Sequence, residues 1–273
     1  MSHNSLKTLS VGDVVSAGLR IYRDRFKVYY KLALTACFWL LVPIYGWAKF
    51  AAISGLISRL AYKEIIETPE TIEEAQHNIK PRMWNFFLVS LLVGLILVAC
   101  LFAGFIVFAI LIAVGQTLPQ SPGVTVLVIL FLTVLFLGFV FAYVWLYSRI
   151  SLAELPIAVE NQNDPSAALS KSWKLTAGFV VRLQLIFFVA FLISVPITIL
   201  IQIMTVITQL IFGVLGYILP NYSGVFNFIY LLFIIIFSLA TNALFIPFWQ
   251  AIKAVIYYDL LTRKEGIDLM INN

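Results

Sequence analysis

Long apolar runs separated by short polar segments form the dominant pattern of this chain. Four runs, at residues 84–114, 124–147, 183–211 and 225–250, each exceed the roughly 20 residues that a helix needs to span the bilayer core. Within the third run, Pro196 predicts a kink or an interruption. The runs form two pairs, and the connection inside each pair is short and uncharged, so they predict two membrane hairpins.

A fifth apolar region, residues 32–58, is divided by the helix-breaking sequence PIYG at 43–46. Each half has about a dozen residues, fewer than a span requires, so both would borrow residues from the amphipathic stretches on either side. Lys49 lies close to the break, where its long side chain can reach a polar interface. The pattern fits two short membrane helices or, alternatively, a re-entrant hairpin.

Charge decides the topology, because Lys and Arg concentrate on the cytoplasmic side of membrane proteins. The connections 115–123 and 212–224 carry no charged residue, whereas 17 of the 18 basic residues, all except Lys49, lie in the N-terminal, the two central and the C-terminal polar segments. An even number of crossings in residues 32–58 places these segments on one side. We therefore predict an all-α, polytopic transmembrane bundle of about six membrane helices, arranged as three hairpins, with both termini cytoplasmic.

The prediction treats the whole chain as one integral membrane domain. Its parts are an interfacial amphipathic helix (1–31), a short membrane hairpin (32–58), a first polar segment (59–83), a second hairpin (84–148), a second polar segment (149–182), a third hairpin (183–252) and a cytoplasmic tail (253–273). In the amphipathic helix, Ser10 and Asp13 suit the N-terminal cap, and apolar residues recur at helical spacing from Val15 to Tyr29. Such a helix lies at the membrane interface or packs on the protein's own polar side, and the two placements are compatible with each other.

The two polar segments resemble each other in the order of their residues. Each opens with Ser-Arg, has a glutamate five residues after that arginine, continues to a Thr-Pro or Asp-Pro helix start and then reaches a tryptophan that follows a basic residue. These residues are Ser58, Arg59, Glu64, Thr68, Pro69, Arg82 and Trp84 for the first segment, and Ser148, Arg149, Glu154, Asp164, Pro165, Lys171 and Trp173 for the second. Residues 253–259 form a looser third copy. We predict an internal repeat of three units, in which Arg59–Glu64 or Arg149–Glu154 pair along or between the units.

Motifs in these segments resemble a bacterial membrane protein family. They are Ser10-Val11-Gly12-Asp13, the stretch 168–176 (ALSKSWKLT) with Gly178, and Tyr257-Tyr258-Asp259-Leu260 with residues 263–266 (RKEG). The family is the six-helix membrane domain that is fused to some glycerophosphodiester phosphodiesterases and more often stands alone, and the stretch 39–49 (WLLVPIYGWAK) is similar to its cyanobacterial branch. The resemblance covers most of the chain and implies a bacterial cell membrane, or a thylakoid membrane in a cyanobacterium. Its motifs are structural and imply no reaction.

Composition and reactive residues narrow the function. With 62% hydrophobic and 11% charged residues, the chain is far from the composition of soluble domains, in which about a quarter of residues are charged. The net charge of +5 comes from residues that flank membrane segments, so it does not indicate nucleic-acid binding. No P-loop, zinc-protease motif or Ser-His-Asp order is present, and His3 and His77 stand apart, so we predict no enzymatic activity, no cofactor and no metal site. Cys37 and Cys100 are expected to pack as small hydrophobic residues.

Two sets of residues are candidates for function. The first is a belt of basic residues and two interfacial tryptophans that would contact anionic lipid headgroups: Arg20, Arg23, Arg25, Lys27, Lys31, Arg82, Lys171, Lys174, Arg182, Trp84 and Trp173. The second is a set of intramembrane polar residues that would line a transport site: Ser238, Thr241, Asn242, Gln202 and Gln209. The plainer alternatives are topological anchoring for the belt and hydrogen bonds between helices for the polar residues.

The belt is the better supported of the two, because no Asp or Glu lies in mid-span to couple protons to transport. We predict a non-enzymatic integral membrane protein that binds or organises lipid, or a partner membrane complex, through cytoplasmic interfacial helices. Its partners would be membrane lipids, anionic ones in particular, and a membrane protein complex or further copies of this chain. The alternative is a small-molecule or lipid transporter with a polar site between the last membrane helices.

Overall fold

The computed structural model describes residues 9–119 and 121–271, with side chains described as far as Lys264. In these residues it has ten α-helices and two short 3-10 turns, at Lys80–Arg82 and Pro220–Tyr222, and no strand. The helices are α1 (Val11–Asp24), α2 (Phe26–Trp39), α3 (Tyr45–Ile65), α4 (Ile72–Ile79), α5 (Met83–Thr117), α6 (Pro122–Ile150), α7 (Leu155–Val159), α8 (Pro165–Leu175), α9 (Val180–Ile218) and α10 (Ser223–Ile271). The predicted all-helical class is confirmed.

Four of the helices, α5, α6, α9 and α10, are long and apolar enough to cross a membrane. Few side chains in their most apolar stretches are buried, and large residues such as Phe105, Leu127 and Leu200 are more than half exposed. Apolar surface on this scale is stable only against lipid or another apolar surface. Each of the four runs predicted to span the membrane lies inside one of these helices, so the prediction is confirmed for them as helices of spanning length.

The predicted short hairpin at residues 32–58 corresponds to α2 and α3, which are not among the helices of the described residues that are both long and apolar enough to cross a membrane. α2 has 14 residues. α3 has 21 but carries Lys49 and Arg59 on its way into the polar part of the protein. The helix break is at the predicted place, because α2 ends at Trp39 and α3 begins at Tyr45.

The polar segments and the neighbouring helix ends fold together into what we call the polar-helix layer. It consists of α1, α3, α4, α7 and α8 with the adjoining ends of α2, α5, α6, α9 and α10. Two hydrophobic cores hold it together. The first joins α1 to α9 and α10 through residues such as Val14, Leu183 and Ile252, and the second joins α2, α3 and α5 around Phe86. Cys37 is buried in the second core, as expected for a small hydrophobic residue.

The N-terminal amphipathic helix starts as predicted, with a capping box between Ser10 and Asp13. It is not one helix, however, because Arg25 separates α1 from α2. The buried face of α1 packs closely on α10: a Cβ atom on Gly18 would lie 2.8 Å from Cγ1 and 3.2 Å from Cα of Ile252. The predicted packing on the protein's own surface is therefore observed for one face of α1, and the interfacial placement stays a prediction.

Helix starts in the two polar segments are set by different residues. In the second segment α8 begins at the predicted place, with Asp164 as N-cap and a proline in the first turn. In the first segment the predicted start at residues 68–69 is wrong, because α4 begins after Thr71. The Thr71 hydroxyl accepts a hydrogen bond from the Glu74 amide, and the Glu74 carboxylate accepts one from the Thr71 amide. This capping box satisfies two amides at once, which favours the later start.

Two features of the long helices differ from the prediction. α9 continues through Pro196, as membrane helices do when neighbouring groups satisfy the freed carbonyl, so the helix is not interrupted there and the kink stays a prediction. α10 continues past the predicted end of its membrane run, so residues 253–271 belong to a helix rather than to a separate tail. Tyr257 and Leu260, both fully buried in the first core, hold this extension in the polar-helix layer.

Candidate functional site

The predicted basic belt divides into cations that lie free on the surface and cations that bind other groups of the polar-helix layer. The first group, which we call the exposed cations, consists of Arg20, Arg23, Lys27, Lys31 and Lys174. Within the described part of the chain, only Arg23 among them has an acidic partner, and that pair with Asp24 is long (3.4 Å) and open to solvent. These cations are therefore accessible to a ligand.

The other four basic residues of the belt are engaged within the layer, which narrows the predicted belt to the exposed cations. Three of the four contact a different segment of the chain, so their partners follow from the fold and not from local sequence. The contacts are Arg25 with Glu64, Lys171 with Glu160, Arg182 with Asp259 (3.0 Å), and Arg82 with the side-chain oxygens of Asn161 (3.0 Å) and Asn163 (2.9 Å).

The two predicted interfacial tryptophans have different surroundings. Trp84 is about half exposed at the start of α5. Trp173 lies against Arg149, whose guanidinium carbon is 4.2 Å from the centre of the Trp173 ring and 5.7 Å from that of Trp145. Arg149 is 8% exposed, its Nε has no hydrogen-bond partner, and no carboxylate among the described residues pairs with it. Trp173 is therefore one wall of an aromatic cage around a buried cation.

The predicted pairing of Arg59 and Arg149 with the glutamates five residues after them is wrong. Residues three or four apart share a helix face, whereas a spacing of five turns the two side chains apart. Arg59 instead makes a two-point contact with Glu70, with N–O distances of 2.7 and 2.8 Å. It also donates to the carbonyl of Ala158 at 2.8 Å. Arg59 therefore holds α3 to the segment before α4 and to α7.

Sequence reasoning missed two carboxylates, Glu70 and Glu160. A signal for both was present, because Glu70 follows Arg59 by eleven residues and Glu160 follows Arg149 by the same interval. Only Arg59 pairs with its glutamate, however, and Glu160 accepts a hydrogen bond from the Tyr257 hydroxyl at 2.5 Å. The spacing of eleven residues identifies two carboxylates that have partners in the layer. It does not identify the partners, which depend on the tertiary structure.

Polar contacts link the segments of the layer in a closed sequence. The N-terminal helices contact the first polar segment, which contacts the second, which contacts α10, which returns to the start of the described chain. The links are, in this order, Arg25–Glu64, Arg59–Ala158 carbonyl (2.8 Å), Glu154–Lys253 (3.0 Å) and Asp259–Leu9 amide (3.2 Å). These contacts therefore join the polar-helix layer into one unit, and the exposed cations lie on its surface.

The Arg59–Glu70 pair gives stability a defined pH dependence. The hydrogen bond from Arg59 lowers the pKa of Glu70 from its ordinary value of 4.5. Since the folded state has the lower pKa, ionised Glu70 contributes stability above pH 4.5, and that contribution is lost as the pH falls through the folded-state pKa. We expect the difference in unfolding free energy between the native chain and Glu70→Gln to shrink on acidification below pH 4.5. A constant difference in detergent unfolding across that range would contradict this.

The residues of the predicted transport site lie on two helices, α9 and α10. The Asn242 amide nitrogen donates to the Ser238 carbonyl at 2.8 Å and to the Ser238 hydroxyl at 3.3 Å. Thr241 donates to a carbonyl one turn earlier in the same helix. Gln202 and Gln209 are exposed on α9. The side-chain donors of Thr241 and Asn242 are thus used within their own helix, and the transport alternative stays a prediction.

Among the described residues, no group of three His, Cys, Asp or Glu side chains is placed to hold a metal ion. The geometry defines the class of the protein: it is all-helical, with four helices of membrane-spanning length, and its polar segments form one layer that presents exposed cations. No family model, curated protein or solved structure matches the chain. The resemblance to the six-helix membrane domain family therefore stays a prediction.

Proposed function

We propose that this chain is a non-enzymatic integral membrane protein that binds anionic lipid through the exposed cations of its polar-helix layer. The observation that carries the proposal is the set of exposed cations on α1 and α2, which lie outside the cores and, apart from the long solvent-exposed contact of Arg23 with Asp24, form no ion pair with described residues: Arg20, Arg23, Lys27 and Lys31. A Lys or Arg near an anionic membrane surface gains about 1 kcal/mol of attraction. Several such residues on adjacent helices therefore give a preference for anionic over zwitterionic lipid.

Exposed apolar side chains accompany these cations. Leu19 on α1 and Phe26 on α2 are more than a third exposed, and Phe38 on α2 is half exposed. Helices that present both kinds of residue suit a membrane interface, where apolar side chains enter the acyl region and cations reach the headgroups. The other face of α1 packs on the part of α10 that follows its apolar run. This contact places the polar-helix layer at one end of the spanning helices.

The finer topology belongs to the same proposal. We take α2 and α3 as a short hairpin whose turn enters the membrane, because Leu41, Ile44 and Trp47 at the turn are between about half and two thirds exposed. Tryptophan is also favoured at membrane–water interfaces. This hairpin completes six membrane helices in three hairpins. Because the basic segments share one layer, we place that layer and both termini on the cytoplasmic side. The family resemblance implies a bacterial cell membrane or a thylakoid membrane.

Lipid is preferred over a protein partner as the main occupant of these surfaces. The accessible charge on α1 and α2 is mostly of one sign, which suits an anionic membrane surface. A partner membrane complex or further copies of this chain would instead cover part of the exposed surface of α5, α6, α9 and α10. That occupant would leave the response to lipid charge unchanged, so the experiment below separates the two.

Lipid selectivity in reconstituted membranes tests the proposal. The readout is the ratio of association constants for spin-labelled phosphatidylglycerol and phosphatidylcholine, measured by electron paramagnetic resonance. We expect the native chain to prefer the anionic lipid, and the triple variant Arg20→Gln, Lys27→Gln and Lys31→Gln to lose most of that preference. The charge-preserving control Arg20→Lys, Lys27→Arg and Lys31→Arg should keep it. Equal ratios for the native chain and the Gln variant would refute lipid binding by these helices.

A further inference from the structure

A cavity of about 430 Å³ lies beside the turn between α2 and α3. Its walls come from both helices at the turn, from α4 and from the beginning of α5. Volumes of this size are typical of sites that bind small molecules. Neither the basic belt nor the intramembrane polar residues line it, so it is separate from both sites that the sequence predicted.

Two lysines make this cavity cationic. Lys49 and Lys80 line it and no Asp or Glu does, and within the described part of the chain neither lysine forms an ion pair. The Nζ atom of Lys49 lies 3.8 Å from the centre of the Trp39 ring and 5.1 Å from that of Tyr45. The rings hold the ammonium group without neutralising it. Its charge is therefore available to an anion such as a phosphate, which accepts charge-assisted hydrogen bonds.

The rest of the lining is largely apolar. It includes Ala52, Ile53, Leu56, Ile79 and Met83. The turn next to the cavity also exposes Leu41 and Ile44, so the cavity adjoins apolar surface. A soluble anion would use only the lysines, whereas a molecule with an anionic head and a hydrocarbon tail would use both parts of the lining.

Unusual backbone geometry fixes the wall of the cavity at the turn. Ile44 has a φ of 61°, which is costly for a β-branched residue and persists only where the surroundings hold it. Gly46 cannot be replaced without movement, because a Cβ atom there would lie 1.9 Å from the carbonyl oxygen of Trp39. Across the turn, Trp47 Nε1 donates to the carbonyl of Leu40 at 3.2 Å. The turn therefore has a defined shape that keeps Trp39, and with it Lys49, at the cavity.

We propose that this cavity binds one anionic amphiphile, a phospholipid whose phosphate meets Lys49 and Lys80 and whose hydrocarbon chain lies against residues such as Ile53 and Leu56. The proposal rests on the proposed lipid binding and deepens it. The exposed cations attract anionic lipid to the surface of the layer, whereas the cavity holds a single molecule. The two lysines favour an anionic lipid over a zwitterionic one, and the apolar lining favours a lipid over free phosphate.

Native mass spectrometry of the full chain in mild detergent tests the proposal, with phosphatidic acid, phosphatidylcholine and inorganic phosphate as probes. We expect one tightly retained phosphatidic acid per chain. Lys49→Gln with Lys80→Gln should weaken its binding by about thirtyfold, since two charges worth roughly 1 kcal/mol each are lost. Ile53→Trp fills the apolar part of the cavity and should remove the bound lipid while both charges remain. Lys49→Arg with Lys80→Arg is the control that keeps charge and binding.

The outcomes separate this cavity from the exposed cations of α1 and α2. The Arg20, Lys27 and Lys31 triple Gln variant should retain the single bound phosphatidic acid, because none of its substitutions lines the cavity. If that variant loses the bound lipid and both cavity variants keep it, the cavity proposal is overturned and the proposed function stands. Equally tight retention of inorganic phosphate, or of phosphatidylcholine, overturns the assignment to an anionic amphiphile. Loss of the bound lipid in the cavity variants alone supports it.

Discussion

Replacing Arg59 with methionine is expected to lower the free energy of unfolding by about 3–5 kcal/mol, the range for breaking a buried ion pair by removing one partner. The Arg59 side chain is 6% exposed and holds Glu70 by two hydrogen bonds. Without it, Glu70 keeps only Lys63, at 3.3 Å, and the carbonyl of Ala158 loses its donor. The effect is large because the carboxylate and the carbonyl stay buried or partly buried with fewer partners than before.

Arg149→Met is the matched control, since Arg149 occupies the equivalent place in the second polar segment and is also buried. It has no carboxylate partner, so methionine leaves no charge unpaired and costs the contacts with Trp145 and Trp173, about 2 kcal/mol for a desolvated cation. Both variants are measured by denaturant titration in mixed micelles, followed by tryptophan fluorescence. Equal losses for the two arginines would show that burial of the side chain, and not pairing with Glu70, sets the stability.

These two arginines also show what the sequence can predict and what it cannot. The apolar runs were sufficient to predict the long helices, because a membrane span requires a length and a composition that few other structures need. The break before Tyr45 was equally visible, since proline and glycine act on the local backbone. Arg59 and Arg149, by contrast, have the same local motif and the same spacing to a later glutamate, yet only Arg59 pairs with it. Partner choice depends on helices distant in sequence, and a local pattern does not contain that information.

The belt illustrates the same limit for the candidate site. Charge type and rough position could be read from the chain, and the exposure of Lys27, Lys31 and Lys174 follows from positions outside the cores. The contacts of Arg82 and Arg182 within the layer could not be predicted from the sequence, because their partners lie about eighty residues away. The cavity at Lys49 was missed for a related reason. Lys80 reaches it from the first polar segment, and the sequence marked Lys49 only as a cation next to a helix break.

Asp259→Asn is expected to destabilise the fold by about 3 kcal/mol or more, and to release the N-terminal end of α1. Asp259 is 3% exposed and accepts hydrogen bonds from Arg182 (3.0 Å), Arg263 (2.9 Å) and the Leu9 amide (3.2 Å). Asparagine keeps the shape but removes the charge, so two guanidinium groups face each other without an anion between them. The Leu9 carbonyl also accepts from both arginines, and their repulsion therefore loosens the contact that closes the sequence of links around the layer.

Hydrogen exchange separates this specific loss from general destabilisation. In Asp259→Asn, amides at Leu9 and in the first turn of α1 should exchange faster at denaturant concentrations where the amides of α3 are still protected, because the hydrogen bonds of Asp259 reach Leu9, Arg182 and Arg263 but no residue of α3. Asp24→Asn is the control, since its pair with Arg23 is exposed and is worth at most about 1 kcal/mol. Uniformly faster exchange in every helix would mean that Asp259 stabilises the whole layer without a particular link to α1. Faster exchange confined to α1 would show that Asp259 holds Leu9, and with it the start of α1, against α10. Asp259 would then also fix the position of the exposed cations of α1 on the polar-helix layer.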